Sequence, residues 1–203
     1  MWVDVVQNSD RWFDLRVGKI TMSHANTIMA NDGKAFGNPA KEYAQKVALE
    51  QVTGLRDETA SFKNSYMDRG NELEPTARDL YEIETFSKVK NGGFHYIEDL
   101  GDSPDGIVGD NGCIEIKCVI PNTHWKRLKK GGYDTAYQWQ IQGHMWIGNY
   151  KWCDFIQYCP EMPESKRLYI FRVNRDEEMI DRMRQRFDLF REEVKRNVNI
   201  LQS

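Results

Sequence analysis

The chain has 203 residues, 40% apolar and 29% charged, with a net charge of −3, a mean hydropathy of −0.70 and a pI near 5.9. That length buries a core without staples, and no window holds the roughly 18 apolar residues of a membrane span. The start, MWVDVVQNSDRW, lacks the basic and apolar regions of a secretory signal, so one cytoplasmic domain over residues 1–203 is expected.

In chain order, WFDLRVGKITMSHANTIMA (12–30) predicts a short helix, a break at Gly18 and a second helix capped near Thr21 or Ser23. Residues 39–54 have helical periodicity and stop at Gly54, and 65–84 are helical with Pro75 as a kink or restart. Strand signals run from Ser87 to Cys118, followed by a helix over 134–148, strands KWCDFIQY and RLYIFRV, and a charged terminal helix over 175–201. The order implies an α/β or α+β fold with a mixed central sheet. Cysteines 113, 118, 153 and 159 form no CxxC and read as reduced thiols. Cys113 and Cys118 fall on opposite faces of one strand, which disfavours an iron–sulfur cluster.

The segment SPDGIVGDNGCIEIKC (103–118) puts an Asp, a Glu and a Lys into a β-branched hairpin. Alternation sends Glu115 and Lys117 one way and Ile114, Ile116 and Cys118 the other. A three-residue loop Asp110-Asn111-Gly112, with Gly112 left-handed, would pair Asp105 with Lys117 and Ile107 with Glu115. A two- or four-residue loop would move Asp105 to the Ile116 face, and the apolar pattern favours the first register. Two carboxylates and a lysine on one face suit Mg²⁺, which takes hard oxygens and keeps several waters. Two such ions can clamp an in-line phosphodiester displacement, with Lys117 at the attacking water. The plainer alternative is a solvated Asp105–Lys117 ion pair.

Pro104-Asp105 followed by Glu115-Ile116-Lys117 resembles the PD-(D/E)xK nuclease motif. LRVGKITMSHA (15–25), RGNELEPTARDLYE (69–82), SPDG…EIKC (103–118) and YQWQIQGHMW (137–146) occur in the order seen in the phage lambda exonuclease, or YqaJ-type viral recombinase, family. The resemblance spans roughly residues 10–175 and implies a restriction-endonuclease-like core. It implies Asp105, Glu115 and the Ile116 carbonyl as metal ligands, for Mg²⁺ or Mn²⁺ and as two ions, with Lys117, Glu74 and Gln140 completing the catalytic group. Without it, Glu74 is an ordinary helix carboxylate and Gln140 a buried amide. It also implies Arg16 and Ser23, with Ser103, as a pocket for a 5′-terminal phosphate; the plain reading of Arg16 is a surface salt bridge.

The activity so implied is 5′→3′ digestion of one strand of linear duplex DNA, leaving 3′ single strands for recombination. The family further implies a phage or prophage setting in a bacterial host, a homotrimeric ring and a single-strand annealing partner. Two rivals stand beside it: an endonuclease of the same superfamily, and a non-catalytic DNA-binding adaptor. An acidic chain that handles DNA must concentrate positive charge in a cleft or channel. Lys126, Arg127, Lys129 and Lys130 are candidates for that lining, or else form a solvated basic loop. The side chains that part the strands are expected within 26–65, and the role of Asp99 is open.

Overall fold

The computed structural model describes residues 1–56 and 65–203. Of the 26–65 stretch expected to hold the strand-separating side chains, residues 57–64 lie outside the described residues. Helix α1 (Asp10–Arg16) starts where Ser9 Oγ accepts the Trp12 N–H, and Gly18 (φ +68°) turns the chain away. The expected second helix is divided by packing. Ile20–Thr21 becomes strand β2, Met22–His24 a 3₁₀ turn, and only α2 (Ala25–Met29) is α-helical. Thr21 makes no side-chain cap; its backbone N–H instead donates to the Tyr43 hydroxyl.

Helix α3 (Asn38–Thr53) ends at left-handed Gly54, as its sequence predicts. Helix α4 (Ser65–Thr85) runs through Pro75 without restarting. The remaining helices are α5 (Pro121–Lys130), α6 (Gln138–Ile147, entered through a 3₁₀ turn at Thr135–Tyr137) and α7 (Glu177–Gln202). Helix α5 corrects the expected basic loop. Pro121 presets its first turn and three basic residues complement its C-terminal end.

The strand region divides between two mixed sheets. One has the order β1(Trp2–Val3)-β4(Phe94–Ile97)-β5(Leu100–Asp102)-β2. The other has the order β3(Val89–Lys90)-β6(Gly106–Val108)-β7(Gly112–Cys118)-β8(Trp152–Tyr158)-β9(Leu168–Asn174). Strands β7 and β8 run parallel, joined by α5 and α6.

Both faces of β7 are covered. Ile114 and Ile116 pack with Ala77 and Tyr81 of α4, and Cys113 packs with Ile141 and Met145 of α6. A third core joins α2, α3, α6 and α7 through Ile28, Tyr43, Ile147, Phe187 and Phe190. Each such side chain contributes roughly 1.5–3 kcal/mol on burial. Gly143 lets α6 approach Met22: a Cβ there would lie 2.8 Å from the Met22 sulfur. That close crossing brings the polar face of α6 over the β5 and β7 ends.

The hairpin register corrects the expected loop. Gly106 pairs with Ile114, Ile107 with Cys113 and Val108 with Gly112, leaving Gly109-Asp110-Asn111 as the loop. Gly109, not Gly112, takes the positive φ (+58°). Gly112 is needed for another reason. The Trp152 ring lies over it, 2.1 Å from where a Cβ would stand. The shift is two residues, so parity survives: one step beyond Gly106–Ile114, Asp105 comes alongside Glu115 rather than Lys117.

Candidate active site

Asp105 lies just outside β6. Its N–H donates to the Ile114 carbonyl, and its Oδ2 accepts the Ile116 N–H at 2.6 Å. Glu115, at the middle of β7, is 1% exposed. Its Oε1 is ion-paired with Lys117 Nζ, and its Oε2 lies 2.9 Å from His144 Nε2 on α6. Lys117 also sits 4.6 Å from the Tyr137 ring centroid. The group is not a solvated surface patch, since Glu115 is buried and Asp105 and Lys117 are half-buried beside it.

Glu74 approaches from α4. Its Oε1 accepts from Arg78, which also donates to the Asp105 carbonyl at 2.6 Å. Gln140 faces the same cavity one turn before His144.

Two cavities meet here. A cleft of about 680 Å³ is lined by Asn71, Glu74, Asp105, Ile116, Lys117 and Tyr137, among others. A smaller cavity of about 160 Å³ is lined by Arg16, Ser23, Ser103, Asp105, Glu115, Lys117, Gln140 and His144, among others. Gln7, Asp105 and Lys117 line both. All nine residues that the resemblance implies for the metal, catalytic and phosphate sites therefore border one or both cavities.

Electrostatics separate the carboxylates. Burial, with Glu115 and Glu74 close by, pushes Asp105 well above the usual carboxylate range. Burial and Glu115 likewise raise Glu74, against the opposing pull of Arg78. Burial would raise Glu115 too, but Lys117 and His144 outweigh it and bring it down to about 2. Lys117, despite its burial, is held firmly protonated by Glu115 and Asp105.

Arg16 rests 4.1 Å from the Trp12 ring centroid and donates to Ser23 Oγ at 3.2 Å and to Thr21 Oγ1 at 3.4 Å. No carboxylate pairs with it among the described residues, so the surface-salt-bridge reading fails. Burial lowers its pKa, and an anion would restore what burial removes. Ser103 lines the same cavity, but its one proton goes to the Gly93 carbonyl at 2.5 Å, while its oxygen accepts Trp12 Nε1–H at 2.8 Å. It braces Trp12 and has no proton left to donate to a phosphate.

The sequence reading missed His144 and Asp102 as site residues. His144 was visible on the face shared by Tyr137 and Gln140, by the i, i+3 and i+4 spacing. Asp102 had no local signal. Asp99 is held by Arg191 in a fork at 2.7–3.1 Å and stands outside both cavities.

Chemically, the donors around Asp105 are hard oxygens. Among the described residues no three His, Cys, Asp or Glu side chains already form a metal cage. Magnesium does not require one, because it keeps waters and needs only two or three protein oxygens. The fit is electrostatic as well. The mutual repulsion and burial that raise Asp105 and Glu74 are what a divalent cation relieves.

The YqaJ-like viral recombinase domain matches residues 11–151. Among solved structures, the chain is similar to an alkaline exonuclease, LHK-Exo, from Laribacter hongkongensis, at 31% identity, covering 96% of both chains with a TM-score of 0.85. The same protein in complex with dAMP matches at 32% identity, 96% of both chains and a TM-score of 0.86. A phage-related exonuclease from Haemophilus somnus 129PT, at 18% identity and a TM-score of 0.70 over 90% of this chain and 96% of that one, shares the fold. A search of curated proteins finds no significant match.

Proposed function

We propose that this chain, which belongs to the YqaJ-like viral recombinase family, is a Mg²⁺-dependent exonuclease that digests one strand of linear duplex DNA from its 5′ end. The observation that carries the reading is the meeting of the two cavities at Asp105 and Lys117. One offers a terminal phosphate an arginine that no carboxylate pairs among the described residues, and the other an open cleft for the strand beyond it. The likeness to LHK-Exo supports a nuclease, and the dAMP found with that protein is the kind of product a strand-digesting exonuclease releases.

In this reading Asp105, Glu115 and the Ile116 carbonyl hold the metal, with Glu74 completing its surroundings. A metal held there would supply Lewis-acid chemistry, polarising the scissile phosphodiester and lowering the pKa of the attacking water. Lys117, fixed between Glu115 and the Tyr137 ring, orients that water and offsets charge building on the phosphate. Gln140 supplies an amide at the phosphate between the pockets. Arg16 forks onto the terminal phosphate, assisted by the Ser23 hydroxyl. His144 and Lys117 leave Glu115 ionised and ready to ligate.

The 3′ single strands so produced feed recombination by annealing. A homotrimeric ring and a single-strand annealing partner belong to the same proposal. The basic surface available to DNA is Lys126, Lys129 and Lys130 on α5. Arg127 is turned inward onto the Gly131 and Tyr133 carbonyls and is not part of it.

The test is digestion of end-labelled linear duplex with Mg²⁺, with 5′-phosphate or 5′-hydroxyl ends, beside covalently closed circles. The expected outcome is label loss from the linear 5′-phosphorylated strand, slower loss from 5′-hydroxyl ends, and intact circles. Cut circles would favour the endonuclease, and no turnover the non-catalytic adaptor.

A further inference from the structure

Asp102 and His144 are buried polar side chains to which the catalytic reading gives no contact with substrate. Asp102 ends β5 in one sheet, His144 lies in α6, and Glu115 lies in β7 of the other sheet. The His144 ring spans the gap, with Nδ1 2.8 Å from Asp102 Oδ1 and Nε2 2.9 Å from Glu115 Oε2. All three side chains are at most 2% exposed. A carboxylate oxygen accepts, so a ring nitrogen that carries a proton donates to the carboxylate it faces.

We propose that His144, oriented by Asp102, is a positioning residue that fixes the Glu115 carboxylate for metal ligation. The inference rests on the metal site proposed above and names what holds it in shape.

Three observations separate this from a simple strut between sheets. Glu115 is gripped at both oxygens, Lys117 on Oε1 and His144 on Oε2, so its plane cannot turn. A strut needs only one good contact per side chain. Asp102 Oδ2 is buried with no hydrogen-bond partner among the described residues, an unfavourable arrangement that an apolar pair of the same volume would avoid. Both groups also border the small cavity, so they act where Glu115 meets substrate and not deep in the core. Ligating carboxylates generally depend on such outer hydrogen bonds, whose loss weakens metal affinity by about 10- to 100-fold.

The experiment measures Mn²⁺ affinity by calorimetry on the DNA-free protein, for wild type, His144→Ala, His144→Gln and Asp102→Asn. Melting temperature and affinity for a 5′-phosphorylated duplex end are measured alongside in EDTA. The expected result for His144→Ala is about 10- to 100-fold weaker Mn²⁺ binding with DNA-end affinity nearly unchanged. His144→Gln, which keeps one donor toward Glu115, should recover part of the loss.

Equal Mn²⁺ affinity in wild type and all variants overturns the inference while leaving the metal site standing. Parallel loss of Mn²⁺ and DNA-end affinity also overturns it, because a strut would behave that way. Absence of Mn²⁺ binding by wild type overturns the metal reading itself, and the inference with it. Should His144→Ala fail to fold, Asp102→Asn, which preserves volume and removes the charge that orients the ring, decides between the same outcomes by its Mn²⁺ affinity.

Discussion

Lys117 makes the sharpest single-residue case. It is pinned by Glu115 and Tyr137 at the point where both cavities meet, and contributes little to the apolar core. Lys117→Ala should lower cleavage by about a hundredfold or more, with folding and DNA binding close to normal. Retention of more than about a tenth of the wild-type rate would remove Lys117 from the chemistry.

Arg16 invites a double-mutant cycle of wild type and Arg16→Ala against phosphorylated and dephosphorylated duplex. Each loss alone should slow digestion by about ten- to a hundredfold, and both together should be little worse than one. Strictly additive losses would mean that Arg16 acts elsewhere.

Beside it, His24 stacks on Tyr43 at 3.9 Å between ring centroids. Burial and the neighbouring Arg16 push it from 6.5 down to about 4. The folded protein thus resists a proton that the unfolded chain accepts. Stability is complete above pH 6.5 and falls as pH drops toward 4, by up to about 3 kcal/mol from this group. An NMR titration of the His24 ring should show its midpoint near 4, and a midpoint near 6.5 would reject the account. At neutral pH the positive charge beside Ser23 therefore comes from Arg16, with no help from His24.

At the scale of elements, periodicity was legible where a helix had an apolar face and a stop signal. Helix α3 ends at Gly54, and α7 fills the charged terminal stretch. Helix α5 was not, because PNTHWKRLKK offers almost no apolar repeat; it is held by His124 and Arg127, which turn their polar atoms inward. The hairpin parity was legible because a one-residue slip would have exchanged Ile116 for Glu115 on the α4 face. The loop position was not. Two glycines competed for it, and the deciding feature, the Trp152 ring over Gly112, comes from forty residues downstream. The division into two sheets was not legible either, since strand pairing between β4 and β5 and between β6 and β7 is antiparallel and local in both.

That register gives its own prediction. Gly112→Ala should destabilise by about 1–3 kcal/mol through overpacking. The penalty should shrink in a Trp152→Leu background, as measured by denaturant unfolding. A penalty unchanged by Trp152→Leu would point to backbone strain at Gly112 and to the other loop.

At the scale of the whole molecule, a chain of net charge −3 must offer DNA a local surface. The exposed lysines of α5 stand next to the wide cleft, whose lining includes Ile120 and Thr123 at the start of that helix. Replacing Lys126, Lys129 and Lys130 together by Ala should reduce the slope of log affinity against log salt by up to about 3, since each phosphate contact contributes roughly 0.9. Anisotropy with labelled duplex in EDTA reads this directly, and an unchanged slope would place the duplex on another face. No described helix is long and apolar enough to cross a membrane.

Ser103 and Asp105 stand two residues apart, joined by Pro104, whose ring fixes φ. Ser103 braces Trp12, on which Arg16 rests, while Asp105 borders both cavities. Two extended residues reach no more than about 7 Å. In the proposed reading, the hold on a strand's end and the cutting centre are thus joined through one short, stiff link, like the fixed jaws of a caliper. Such a gauge would have a single setting, so digestion is expected to release fragments of one length, and a gel of mixed fragment lengths would reject it.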